Sequence, residues 1–273
     1  MNIFTKISLA TLFLTPSLWA QPALPCGHSH NDYLQERPLY EAVELGYGSI
    51  EIDICLTDKK ELKVAHVPWF LGGKKEVEEL YFAPIAKMIE EKSPVFRYST
   101  EYPLNLLIDF KKNADSTYKY LKNVFTKYAR YITQYGMNGQ VIHRGPLVIN
   151  LTGNKPWAAM AKDTLLYARM DGPLLLSDTN AIDTTYLRMT GRVAANYQEL
   201  VAFKKQCKTE EEFYSRVKAN IGWYNRHHLT ARYYAVPNKA ENWEELVRCG
   251  LNWINVDKLK EFSDFYHAYS TQH

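Results

Sequence analysis

Two histidines, an asparagine and an aspartate fall within five positions of the run GHSHND, from His28 to Asp32. Further on, Glu51 and Asp53 stand at i and i+2 in SIEIDICL, and His66 ends LKVAH. Asp109 and Lys111 follow in LNLLIDFK, again two apart. In an extended strand that spacing puts both side chains on one side. Glu51 and Asp53 would then be like charges in close quarters, costly to bury unless paired or bound to a cation. Carboxylate oxygens suit hard divalent ions such as Mg²⁺ or Ca²⁺, and Asp109 is a candidate third ligand. His28 and His66 each end an apolar run, which puts them at the rim on either side of such a cation as general base and general acid. Lys111 adds a fixed positive charge. Together these groups suit an anionic, phosphorus-centred transition state. A lone histidine more often satisfies a core hydrogen bond, and a lone Glu-x-Asp is often just polar. Two histidines that end strands beside three carboxylates favour the site. His30 is either a third ring at the rim or a loop residue. Asn31 and Asp32 suit turning and capping the loop, with Asn31 a candidate ligand contact.

For these residues to meet, strand ends must converge. The mature sequence alternates short apolar runs with helical patterns. Strands are expected at 23–28, 49–56, 104–110, 147–152, 173–178, 192–197, 231–237 and 253–257, with 62–67 returning on the second as a hairpin. LNLLIDF is nearly continuous in apolar residues, as a strand buried on both faces should be. Between them, helices are expected at 37–46, 77–91, 114–135, 156–167, 209–228 and 242–250. The segment NYQELVAFKKQ after the sixth strand reads as helix or loop. Alternating strand and helix argues for a parallel sheet, and eight units in this length fit a closed (β/α)₈ TIM barrel. An open doubly wound sheet is the alternative. In a barrel the active site lies at the C-terminal strand ends. The later ends offer Asn150, Asp178, Asn196, Asn238 and Asp257. LTGNKP (151–156) lies on that face, whereas His143–Arg144–Gly145 precedes a strand and falls on the opposite one.

The chain has 273 residues, 46% hydrophobic, with net charge +3. That is too small and dispersed a charge to imply nucleic acid. Residues 1–20 carry one lysine, an apolar stretch and a small residue at Ala20, the layout of a secretory signal peptide. The expected product is one domain over 21–273, exported to the periplasm or secreted. Pro16 interrupts the apolar stretch, so no stable membrane span is expected there. The four cysteines, Cys26, Cys55, Cys207 and Cys249, form no CxxC pair, which argues against a zinc-thiolate site. No disulfide pairing follows from their spacing.

The stretch GHSHNDY…RPLYEAVELGYGSIEIDICLTDKKELKVAH resembles the opening of the phospholipase C-like phosphodiesterase superfamily. That group includes glycerophosphodiester phosphodiesterases, sphingomyelinase D toxins, and the fungal altered-inheritance-of-mitochondria proteins with their bacterial relatives. The likeness to the last of these rests on GHSHNDY itself. It implies a barrel hydrolase with one divalent cation, held by residues matching Glu51, Asp53 and Asp109. His28 and His66 match the acid/base pair and Lys111 a phosphate-contacting lysine. Ser29 stands where glycerophosphodiesterases carry an arginine, and DFK is closer to the sphingomyelinase D pattern. The implied substrate is a small-molecule or lipid-headgroup phosphodiester, opened by water or by a neighbouring substrate hydroxyl that leaves a cyclic phosphate. A non-catalytic barrel binding a phosphorylated or sugar ligand is the rival reading.

Overall fold

The computed structural model describes residues 23–176 and 188–272. Strand β1 (Leu24–Ser29) leads through a short turn into α1 (Tyr40–Leu45), then β2 (Tyr47–Leu56) with its antiparallel partner β3 (Leu62–Val64). Next come α2 (Ala83–Glu90), β4 (Leu104–Phe110) and α3 (Ala114–Lys127). A small hairpin, β5 (Gln134–Tyr135) with β6 (Val141–His143), precedes β7 (Leu147–Gly153) and the short α4 (Trp157–Met160). Then follow β8 (Arg169–Pro173), β9 (Thr190–Asn196), α5 (Tyr197–Lys204) and α6 (Glu210–Arg226). The chain ends with β10 (Thr230–Tyr234), α7 (Ala240–Arg248), β11 (Trp253–Val256) and α8 (Leu259–Ser270).

Strands β1, β2, β4, β7, β8, β9, β10 and β11 are parallel neighbours in that order, and β1 pairs with both β11 and β2. The sheet is therefore a closed eight-stranded parallel barrel, as the alternation predicts, with helices in its crossovers other than that from β8 to β9, most of which lies outside the described residues. Every residue of β2 is buried. Its isoleucines, Ile50, Ile52 and Ile54, join the hydrophobic core. Their neighbours Ser49, Glu51 and Asp53 alternate to the other side, into the barrel.

Several expected boundaries move. The fifth strand is Arg169–Pro173 rather than 173–178, and Asp178 lies outside the described residues, as does the 1–20 leader. The apolar run PLLL thus begins at the last residue of the strand and continues past it, and the strand's identity comes instead from Asp171 facing polar partners inside the barrel. The helix expected over 114–135 stops at Lys127, gives one 3₁₀ turn at Ala129–Tyr131 and then enters β5. Residues 156–167 hold just the short α4. Asp163 there accepts hydrogen bonds from Tyr118 and Lys122, which ties the segment to α3. The ambiguous segment after β9 is helix α5, opened by a capping box in which Asn196 and Glu199 satisfy each other's backbone N–H groups.

Candidate active site

Strands β2 and β4 lie in a register that sets Asp53 directly opposite Asp109. One oxygen each of Glu51, Asp53 and Asp109 fall within 4.8 Å of one another. Three carboxylates this close repel, and Lys111 relieves part of that. Its Nζ lies 2.9 Å from Asp109 Oδ2 and 3.0 Å from Asp53 Oδ2. Burial pulls the Lys111 ammonium pKa down, but Asp109 and Asp53 outweigh it and raise it. Asp53 Oδ2 also accepts from Tyr33 Oη at 2.8 Å and meets His66 Nδ1 at 2.7 Å. Its other oxygen, Oδ1, is buried without a hydrogen-bond partner among the described residues. A buried carboxylate oxygen left bare is expensive, and a cation between the three acids would satisfy it. The donor set, all carboxylate oxygens, suits Mg²⁺ or Ca²⁺.

Asp109 is held from behind by a glycine. A β-carbon at Gly153 would come within 2.0 Å of Asp109 Oδ1, and Gly153 has φ +70°. The close of β7, flagged in LTGNKP, therefore shapes the carboxylate cluster. Asn154 reinforces it by donating to the carbonyls of Phe110 and Lys111.

The histidines are distributed differently from the expectation. His66 stands at the mouth with its side chain 65% exposed, positioned by Ala65 N donating to Asp53 O. His28 is not at the rim. It is fully buried one layer down, opposite Ser49. Its Nε2 is 2.8 Å from Glu51 Oε2 and its Nδ1 is 2.8 Å from Ser49 Oγ. Nε2 also lies 3.1 Å from Arg232 Nη1, so this nitrogen faces an acceptor and a donor at once, with the carboxylate the nearer. The Ser49 hydroxyl oxygen beside Nδ1 in turn accepts from Arg192 Nη2 at 3.0 Å. Burial lowers the His28 pKa to about 3, so the ring is neutral. The ring above His28 on the same side of β1 is the one that reaches the mouth.

That ring is His30. Its backbone N–H donates to Val256 O, which carries the β1–β11 pairing one step past the strand. Its Nδ1 lies 2.7 Å from Asp257 Oδ1, and the side chain is 35% exposed. Burial pulls the His30 pKa down, but Asp257 outweighs it and raises it. Asn31 adopts a left-handed conformation, φ 47°, at the start of the turn and lies 3.4 Å from Tyr33 Oη. Asp32 is buried and structural. It accepts from Ser29 Oγ, Tyr81 Oη and Leu39 N at 2.8, 2.8 and 2.6 Å. The last bond holds Leu39 at φ 68°, so α1 starts one residue later, at Tyr40.

Sequence reasoning missed the polar filling of the barrel. Arg232 on β10 donates to Glu51 Oε2 at 2.6 Å and to Asn255 at 3.2 Å. Arg192 on β9 reaches Ser49 on β2. These strands are not neighbours, so both guanidinium groups cross the lumen. Thr152 donates to Asp171 at 2.8 Å, and Lys155 Nζ sits 3.1 Å from the same carboxylate. Burial pushes the Glu51 carboxyl up, but the Arg232 charge and the His28 hydrogen bond hold it below the usual carboxylate range. A signal was present: ARYY and GRV each place an arginine inside a strand of the barrel, which demands an acceptor.

A family model for an AIM6-like phosphodiesterase domain matches residues 21–168, more than half the chain. The chain belongs to this family. It is thus of the phosphoric diester hydrolase class, and the matched region carries His28, His30, Glu51, Asp53, His66, Asp109 and Lys111. The chain is similar to altered inheritance of mitochondria protein 6 from Kluyveromyces lactis, 25% identical over 89% of this chain and 72% of that one. The protein of the same name from Eremothecium gossypii is 28% identical over 89% and 70%. Among solved structures, a glycerophosphodiester phosphodiesterase from Parabacteroides distasonis superposes with TM-score 0.53 at 12% identity, covering 89% of this chain and 97% of that one. One from Agrobacterium tumefaciens gives 0.52 at 10% identity, covering 89% and 100%. These two share the barrel fold. Asp171, Arg192, Arg232, Asn238 and Asp257 lie beyond the matched region.

Proposed function

We propose that the protein is a metal-dependent hydrolase of small phosphodiesters, including glycerophosphodiesters and phospholipid headgroups. The observation that carries this reading is the three-carboxylate cluster with a bare buried oxygen on Asp53, flanked at an open mouth by an imidazole and an ammonium. Glu51, Asp53 and Asp109 would hold one Mg²⁺ or Ca²⁺, which when bound supplies a Lewis acid for the phosphoryl oxygens. Lys111 provides further positive charge where the phosphoryl group gains negative charge. His66, oriented through Nδ1 by Asp53, has Nε2 available to move a proton to or from an oxygen on phosphorus. The leader over residues 1–20 would direct this activity to the periplasm or the medium.

The test is a panel of glycerophosphocholine, lysophosphatidylcholine and bis-p-nitrophenyl phosphate, followed by phosphorus NMR. Hydrolysis gives an open monoester, and attack by a substrate hydroxyl gives a cyclic phosphate. Turnover of at least one member, lost by ~10²-fold or more in His66→Ala, supports the reading. Tight binding of these diesters without turnover would instead favour the non-catalytic barrel.

A further inference from the structure

We infer that the proton-transfer partner of His66 is His30, held by Asp257, and that His28 is a positioning residue for Glu51. The inference rests on the hydrolase reading and refines it.

His30 and His66 have the same local chemistry. Each presents Nδ1 to an aspartate oxygen at 2.7 Å. Each has Nε2 without a hydrogen-bond partner among the described residues, and each is partly exposed at the C-terminal end of the barrel. An imidazole fixed through Nδ1 by a carboxylate, with Nε2 turned outward, is the arrangement expected of a general acid or base. The aspartate behind His30 is itself fixed. Asp257 Oδ2 accepts from Asn238 Nδ2 at 2.5 Å, and Asp257 N donates to Asn238 Oδ1 at 2.9 Å. Gln35 Nε2 donates to the Asp257 carbonyl at 3.1 Å. Three loops, those after β1, β10 and β11, thus converge to orient one ring. Such reinforcement is superfluous for a loop histidine with no task.

His28 has none of these properties. Both nitrogens are engaged and the ring is fully buried. Its contacts are made to hold Glu51 Oε2 together with Arg232. That leaves Oε1, which carries no hydrogen bond among the described residues, as the oxygen to offer a cation. Alternation along β1 explains how the two rings divide the work: His28 and His30 share a side, two residues apart, and the one nearer the strand end reaches the mouth.

The experiment measures steady-state kinetics and Mn²⁺ calorimetry on the full chain with His30→Ala, Asp257→Asn and His28→Gln. For His30→Ala the expected result is a kcat loss of ~10²-fold or more, with Mn²⁺ affinity within about twofold of wild type and partial rescue by added imidazole. Asp257→Asn lowers kcat less, again without moving Mn²⁺ affinity. His28→Gln weakens Mn²⁺ binding by ~10-fold or more and gains nothing from imidazole. Wild-type turnover together with a His30→Ala kcat within threefold of it would overturn this inference and leave the hydrolase reading standing. Absence of wild-type turnover on every phosphodiester would overturn both. His28→Gln with unchanged Mn²⁺ affinity and a kcat loss rescued by imidazole would return the proton-transfer role to His28.

Discussion

At the residue scale the site is a contest between like charges and the groups that offset them. Glu51, Asp53 and Asp109 crowd within 4.8 Å, and the buried Asp53 Oδ1 has no donor among the described residues. Glu51 is held ionised by Arg232 and His28. Replacing Arg232 by Met removes the charge that balances Glu51 while keeping bulk. Arg232→Met is expected to weaken divalent-cation binding by ~10-fold or more, read by calorimetry. Unchanged affinity would show that Glu51 does not depend on Arg232. Types and order made Glu51, Asp53, Asp109, Lys111 and His66 legible, because i, i+2 spacing in a strand fixes sidedness. The depth of His28 was not legible. A strand's end cannot be located to one residue from apolar content alone, and one step of alternation separates the buried ring from the exposed one. Arg192 and Arg232 went unread because their partners lie across the barrel, on strands remote in sequence.

At the element scale, the turn after β1 and the end of β7 do the positioning. Asp32 gathers Ser29, Leu39 and Tyr81 and so anchors the loop that carries His30, Asn31 and Tyr33. Asp32→Ala would leave the Tyr81 hydroxyl and the Leu39 N–H buried and unpaired, a loss of about 2–4 kcal/mol in urea unfolding. A loss under about 0.5 kcal/mol would contradict that role. Gly153 makes a sharper test, because its missing side chain leaves room for Asp109 Oδ1. Gly153→Ala should displace that carboxylate and cut metal affinity, while wild-type-like affinity would show that Asp109 is not a ligand. The parallel strands and most of the helices were legible from alternation and caps. The fifth strand was displaced because ARMDGP is polar on its inner side, and an apolar-run criterion skips it in favour of PLLL. The hairpin of β5 and β6 escaped because its two strands are very short.

At the scale of the whole molecule, closure of the barrel by β1 against both β2 and β11 brings residues 28–32 beside 257 and 51–66. The mouth therefore draws on both ends of the chain, and metal binding should report on the entire fold. At a hundred times its dissociation constant, a bound cation stabilises by about 2.7 kcal/mol, or roughly 5–10 °C in melting temperature for a domain of this size. That increment should appear with Mg²⁺, Mn²⁺ or Ca²⁺ and vanish in Glu51→Ala. All four cysteines are free thiols. Burial pushes Cys26 and Cys249 up to about 12. Melting should therefore be the same with and without a reductant, and a fall on reduction would reveal a disulfide. The most direct measurement is anomalous scattering from a crystal grown with Mn²⁺. The account predicts a single strong peak about 2.0–2.6 Å from oxygens of Glu51, Asp53 and Asp109, with Asp53 Oδ1 among them. Saturating Mn²⁺ with no peak there, or a peak elsewhere in the barrel, would contradict it.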